Sequence, residues 1–133
     1  MTTRKERLRK LVVVQEKLKA LHETRHAGFV AAANKARDEA AELANRFDAD
    51  DSLAGIFPEL YNRRITVALS RERISTAQAS TEAGRVATAT ARTNMVERAY
   101  RDVRRQDERE TADRERLELV QRRGPVDPGE DSA

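Results

Sequence analysis

The segment Asp48-Ala-Asp-Asp-Ser-Leu-Ala-Gly-Ile-Phe-Pro58 is the one internal break in this chain. On either side the sequence runs without proline, and with only Gly28 and Gly84 as glycines, until Gly124. Proline removes a backbone donor and clashes with the preceding turn, and it pushes Phe57 towards extended geometry. One breaker cluster between two uninterrupted, charge-rich arms predicts two long helices joined by a short turn. Folded back on itself, the chain is expected to be all-α, a thin antiparallel coiled-coil hairpin with the second helix longer. A thin hairpin offers little concave surface, which argues for a scaffold or adaptor and against an enzyme.

Composition enters at this point. Of 133 residues, 37% are charged, and the aromatics are three Phe and two Tyr with no Trp. Such a balance leans towards a coiled coil or long helix, because a compact domain of this length would bury more large aromatic side chains. Disorder is the competing state for charge-rich, weakly hydrophobic chains. Here the net charge is only +3, and the apolar residues recur at helical spacing. The absence of cysteine excludes disulfides and thiolate metal ligands and fits a reducing cytosol. No run approaches the ~18 apolar residues of a membrane span, and Leu11-Val-Val-Val14 is too short for a signal-peptide core. A cytoplasmic protein that does not span a membrane is expected.

The first helix is expected over about residues 4–47, capped by the hydroxyl of Thr2 or Thr3. Steps of three and four mark an inward stripe through Leu11, Val14, Leu18, His22, Arg25, Phe29, Ala32, Ala36, Ala40, Leu43 and Phe47. Leu and Val fill its first third and alanine dominates later, so the pair should be close-packed but weakly buried in its middle. Gly28 permits a close approach by the other helix or is merely tolerated.

A second helix is expected over about 59–122, after a turn at 48–58, with Pro58 in the favoured first-turn position and Glu59 complementing the helix dipole. Leu60, Val67 and Ile74 lie seven apart, and Ala77, Gly84 and Ala91 form a parallel series. Met95 or Val96, Ala99, Val103, Leu117 and Val120 continue a heptad-like seam. Folding about position 53 sets Phe29 near Ala77, Leu18 near Thr88 and Leu11 near Met95, and the second helix overhangs beyond about Val103. That overhang mixes nine basic with eight acidic residues over 97–123, the pattern of a solvated helix held by i,i+4 pairs. The hairpin thus spans 1–123, and 124–133 reads as a disordered acidic tail.

No phosphate loop, nucleotide-binding glycine signature or nucleophile-plus-base arrangement is present, so no catalytic residue, cofactor or metal is expected. His22 and His26 have the i,i+4 spacing of a shared metal, but two imidazoles do not close a zinc site, and surface histidines are the favoured reading. Arg4, Lys5, Arg7, Arg9 and Lys10 form a basic cluster against a single Glu6. A helical nucleic-acid-binding protein is therefore one alternative, with a structural coiled-coil adaptor another. Against the first, acids interleave with the arginines elsewhere, whereas a phosphate-binding face needs unopposed positive charge.

The turn end concentrates apolar surface. Phe47, Phe57 and Tyr61 are three of the five aromatics, with Ile56, Leu60, Arg63 and Arg64 beside them. Two readings stand side by side: a local cap on the hairpin, or an exposed anchor of the aromatic-plus-arginine kind that partners favour. The balance leans to an anchor at Tyr61.

Three segments carry a family resemblance: Arg4-Lys-Glu-Arg-Leu-Arg-Lys-Leu-Val-Val-Val-Gln-Glu-Lys-Leu18, the turn Phe57-Pro-Glu-Leu-Tyr-Asn-Arg-Arg64, and Tyr100-Arg-Asp-Val-Arg-Arg-Gln-Asp-Glu-Arg-Glu110. Over nearly its whole length the chain resembles the FliJ/YscO family of coiled-coil stalk proteins of flagellar and type III secretion export. The resemblance implies a shape similar to the rotary stalk of ATP synthases. It implies that the end carrying both termini enters the export ATPase ring, while the rod meets the membrane export gate nearer its turn. By position, Leu8, Leu11, Arg98, Arg101 and Arg105 would lie at the ATPase end, and Phe47, Phe57, Leu60, Tyr61 and Arg64 would face the gate. Export chaperones are further implied partners, with peripheral placement at the inner membrane through them. The alanine- and threonine-rich middle and the short acidic tail depart from the family pattern.

Overall fold

The computed structural model describes residues 2–49 and 55–124. Two helices make up the fold, α1 (Arg4–Asp48, 45 residues) and α2 (Pro58–Arg123, 66 residues), arranged as an antiparallel coiled-coil hairpin whose second helix is the longer. Residues 50–54 of the expected turn and 125–133 of the expected acidic tail lie outside the described residues.

Local chemistry fixes the helix ends. The Thr3 hydroxyl accepts from the Glu6 amide at 3.2 Å, and the Glu6 carboxylate accepts from the Thr3 amide at 3.4 Å. This reciprocal capping box assigns the cap to Thr3 rather than Thr2. Pro58 opens α2 with Glu59 in its first turn. Gly124 ends α2 at φ 64°, its amide donating to the Gln121 carbonyl at 3.2 Å, a left-handed geometry that glycine adopts without a Cβ penalty.

The chain divides into two compact units. One comprises Val13–Thr93, the other Met1–Val12 with Asn94–Ala133. Within Val13–Thr93 the inward positions of α1 are Gln15, Lys19, His22, His26, Phe29, Ala33, Ala36, Ala40 and Leu43. Those of α2 are Tyr61, Ile65, Ala68, Glu72, Ser75, Ala79, Glu82, Val86, Ala89 and Thr93. Both series step strictly by three and four, an unbroken heptad seam. His22 pairs with Glu82 and Phe47 with Tyr61, which is the register expected of arms folded about position 53.

The seam itself differs from the expected one. Phe29, His22, Ala36, Ala40 and Leu43 face inward as expected, but Leu11, Val14 and Leu18 are 42%, 49% and 40% exposed. Arg25, Ala32 and Phe47 are exposed too. In α2, Leu60, Val67, Ile74, Ala77, Gly84, Ala91 and Met95 all lie outside, as do Leu117 and Val120. The true seam sits one residue later, on Tyr61, Ala68, Ser75 and Val96. The reason is size. The buried apolar residues are Ala36, Ala40, Ala68, Ala79 and Ala89, and alanine at the contact lets two backbones approach closely. That spacing leaves little room for larger side chains beside the buried alanines, so apart from Phe29, Leu43 and Ile65 most of them occupy the flanks.

In the terminal unit, Lys5, Leu8 and Val12 of α1 and Val96, Tyr100, Val103 and Asp107 of α2 are half-buried. The Lys5 ammonium lies 3.8 Å from the Asp107 carboxylate. The overlap therefore continues past Val103, and from Asp113 to Gly124 every residue is exposed.

Candidate protein-docking surfaces

At the turn, the Phe47 and Tyr61 rings meet edge to face, with centroids 6.1 Å apart and planes at 67°, a preferred aromatic geometry. Tyr61 is half-buried by this contact. Phe57 and Leu60 point outward, 52% and 45% exposed, next to Ile56 at 70%. Ile56, Phe57, Leu60 and Arg63 line one shallow groove, while Arg64 lines another with Glu39, Glu42 and Arg46. The turn thus contains both features that the sequence left open. Tyr61 packs as a cap, and Phe57 with Leu60 presents free apolar surface.

At the terminal end, Leu8 is half-buried in the seam, whereas Leu11, Arg98, Arg101 and Arg105 are exposed. Arg101 lies 3.8 Å from Glu97 and Arg104 lies 3.4 Å from Glu108, both i,i+4 pairs. These surface pairs organise the helix face but contribute little energy. The basic cluster at the start of α1 is also divided: Lys5 turns inward to Asp107, Glu6 serves the cap, and Arg4, Arg7, Arg9 and Lys10 face solvent.

The sequence did not reveal the polar centre of the seam. Glu82 is 3% exposed, and its Oε2 lies 2.8 Å from His22 Nδ1. Its Oε1 accepts from Arg85 Nη1 at 2.7 Å. A carboxylate only accepts, so the imidazole donates through Nδ1. Burial pushes the Glu82 carboxyl up, but hydrogen bonds to His22 and Arg85, with their charges, outweigh it and hold the group below the usual carboxylate value. His22 is therefore an ordered seam residue and not a loose surface imidazole. Among the described residues no cluster of three or more His, Cys, Asp or Glu could hold a metal. No buried side-chain nitrogen or oxygen among them lacks a partner; Thr93, also buried, donates its hydroxyl to the Ala89 carbonyl at 2.7 Å.

Charge is segregated by this seam. Between Leu60 and Thr93 the acids of α2 are Glu72 and Glu82, and both occupy inward positions. Arg63, Arg64, Arg71, Arg73, Arg85 and Arg92 all face out. The interleaving of acids with arginines read along the sequence does not hold on the outer face of this segment. Its periodic signal was nonetheless present: Arg64, Arg71, Arg85 and Arg92 fall on one heptad series.

No family model matches this chain, and neither a curated protein nor a solved structure matches it. Among the described residues no helix is long and apolar enough to cross a membrane.

Proposed function

We propose that the protein is a non-enzymatic helical-hairpin adaptor, a stalk or escort of a flagellar or type III secretion export apparatus that links the export ATPase to the membrane export gate. The observation that carries the adaptor reading is the inversion of the hairpin. Among the described residues, its buried positions are held by alanine and the partnered polar groups of Glu82 and Thr93, while most of its Leu, Ile and Phe side chains and its arginines are presented outward. Exposed large apolar side chains beside arginine are the chemistry of protein contact.

The export assignment rests on the resemblance of the two arms and the turn. Under it, Leu8, Leu11, Arg98, Arg101 and Arg105 serve the ATPase end, and Phe47, Phe57, Leu60, Tyr61 and Arg64 serve the gate. The protein then works in the cytoplasm, held at the inner membrane through its partners.

Affinity purification of the tagged full chain from its own cells, followed by mass spectrometry, tests this directly. Enrichment of an export ATPase or a gate component is expected, reduced by Phe57→Ala or Arg101→Glu. Enrichment of unrelated proteins, with export components at background, overturns the export assignment.

A further inference from the structure

We propose that the flank of Val13–Thr93 bearing Leu18 and Arg92 is a docking surface for an acidic amphipathic helix of a protein partner. This rests on the adaptor reading but not on its export assignment. On α1, Val14, Leu18 and Leu21 stand at i, i+4 and i+7, each one residue before a seam residue, and are 49%, 40% and 44% exposed. They form one aliphatic strip on one side of the helix. Across the groove, Arg85 and Arg92 also each precede a seam residue, Val86 and Thr93, and Leu18, Arg85 and Arg92 line the same groove. The two arginines are seven residues apart, about 10.5 Å along α2.

The groove's floor is small and open. Ala89 is buried there, and a Cβ added to Gly84 meets nothing within 4 Å. No acidic residue lines the groove. The nearby carboxylate, Glu82, is turned into the seam and satisfied by His22 and Arg85. Arg85 uses Nη1 for that bond, and a guanidinium has further N–H donors to offer outward. The exposed acids of this part of α1, Glu16 and Glu23, each follow a seam residue and so lie on the opposite flank.

An aliphatic strip beside a heptad-spaced arginine row complements a helix with an apolar stripe edged by Glu or Asp. Such a helix fills the groove and pairs with both arginines. A second copy docked by the same flank sets arginine against arginine or against an acid-free strip, and gains no ion pair. A nucleic-acid backbone engages the arginines but makes no use of Val14, Leu18 and Leu21.

The test uses the full chain and a labelled three-heptad synthetic helix with Leu at its core positions and Glu along its edges, read by fluorescence anisotropy. A peptide with Lys in place of Glu, and a short DNA duplex, are run in parallel. The acidic peptide is expected to bind and the basic one not. Arg92→Glu should weaken binding about tenfold or more, Arg92→Gln should weaken it less, and Leu18→Asp should abolish it. Arg37→Glu, on the other flank, should leave it unchanged, with helix content checked by circular dichroism for every variant. Equal binding of both peptides, no binding of the acidic one, or indifference to the Arg92 and Leu18 variants overturns the proposal. Preference for the duplex over the acidic peptide assigns the flank to nucleic acid and also overturns it. So does self-association in sedimentation that Leu18→Asp abolishes while the acidic peptide stays unbound. None of these results bears on export components in the purification, so the two readings fail separately.

Discussion

Glu82 and His22, sixty residues apart in sequence, meet at 2.8 Å across the alanine seam. The carboxylate is enclosed, and the imidazole and the Arg85 guanidinium supply its partners. A polar pair placed among the buried alanines fixes which residues of the two helices face one another, as buried polar groups do in coiled coils.

The first prediction concerns acid. A carboxyl held below its unfolded value contributes stability that is fully present above that value, 4.5, and is lost as pH falls through the lower folded one. Urea melts between neutral pH and about pH 3 should show this loss in the native chain, and Glu82→Gln should flatten that part of the profile while lowering stability at neutral pH. A profile identical in both proteins would remove Glu82 from the account.

The second separates seam from flank. Ala79→Leu inserts bulk where the helices touch and should destabilise by about 1–3 kcal/mol. Ile74→Ala removes a side chain that is 57% exposed and should change stability by no more than about 0.5 kcal/mol. Thermal denaturation of the two variants reads the register directly, and the reverse order of effects would put the seam back on Leu60, Val67 and Ile74.

At the turn, Tyr61→Ala removes a half-buried ring packed against Phe47. A loss of about 2 kcal/mol is expected, with a lowered melting temperature. Phe57→Ala, at a more exposed position, should leave melting nearly unchanged and weaken partner capture. A Tyr61 variant that melts like the native chain yet binds its partner poorly would restore the anchor role to Tyr61.

The capping box is tested at the other end. Thr3→Ala should cost about 1 kcal/mol of local helix stability and accelerate amide exchange in the first turn of α1, leaving exchange at Ala36 and Ala40 unaltered. Uniform acceleration along the helix would mean that the first turn does not open independently.

Much of the architecture could be read from local chemistry. Pro58, a threonine cap at Thr2 or Thr3 and Gly124 act within a few residues of themselves, so the two helices and their approximate ends followed from the chain; the choice of Thr3 came from the structure. The close-packed alanine region of α1 was legible for the same reason, since Ala36 and Ala40 signal short contact distances wherever they face inward. The inward face was not legible. Leu18 and Lys19, or Val67 and Ala68, are neighbours in sequence but about 100° apart around a helix. Two parallel heptad stripes therefore run side by side, one large and one small, and periodicity alone does not rank them.

Sequence by itself determined that this protein is two long helices joined near position 53, because capping, proline geometry and helix propensity are local properties. Tertiary structure decided what each face is for. Once α1 and α2 approached to alanine distance, Leu18 and Ile74 no longer fitted between them and moved to the flanks. Glu72 and Glu82 took inward places, and the arginines of α2 were left together on the outside. That sorting depends on the distance between two backbones, a quantity set by residues sixty and more positions apart, and no window along one helix contains it.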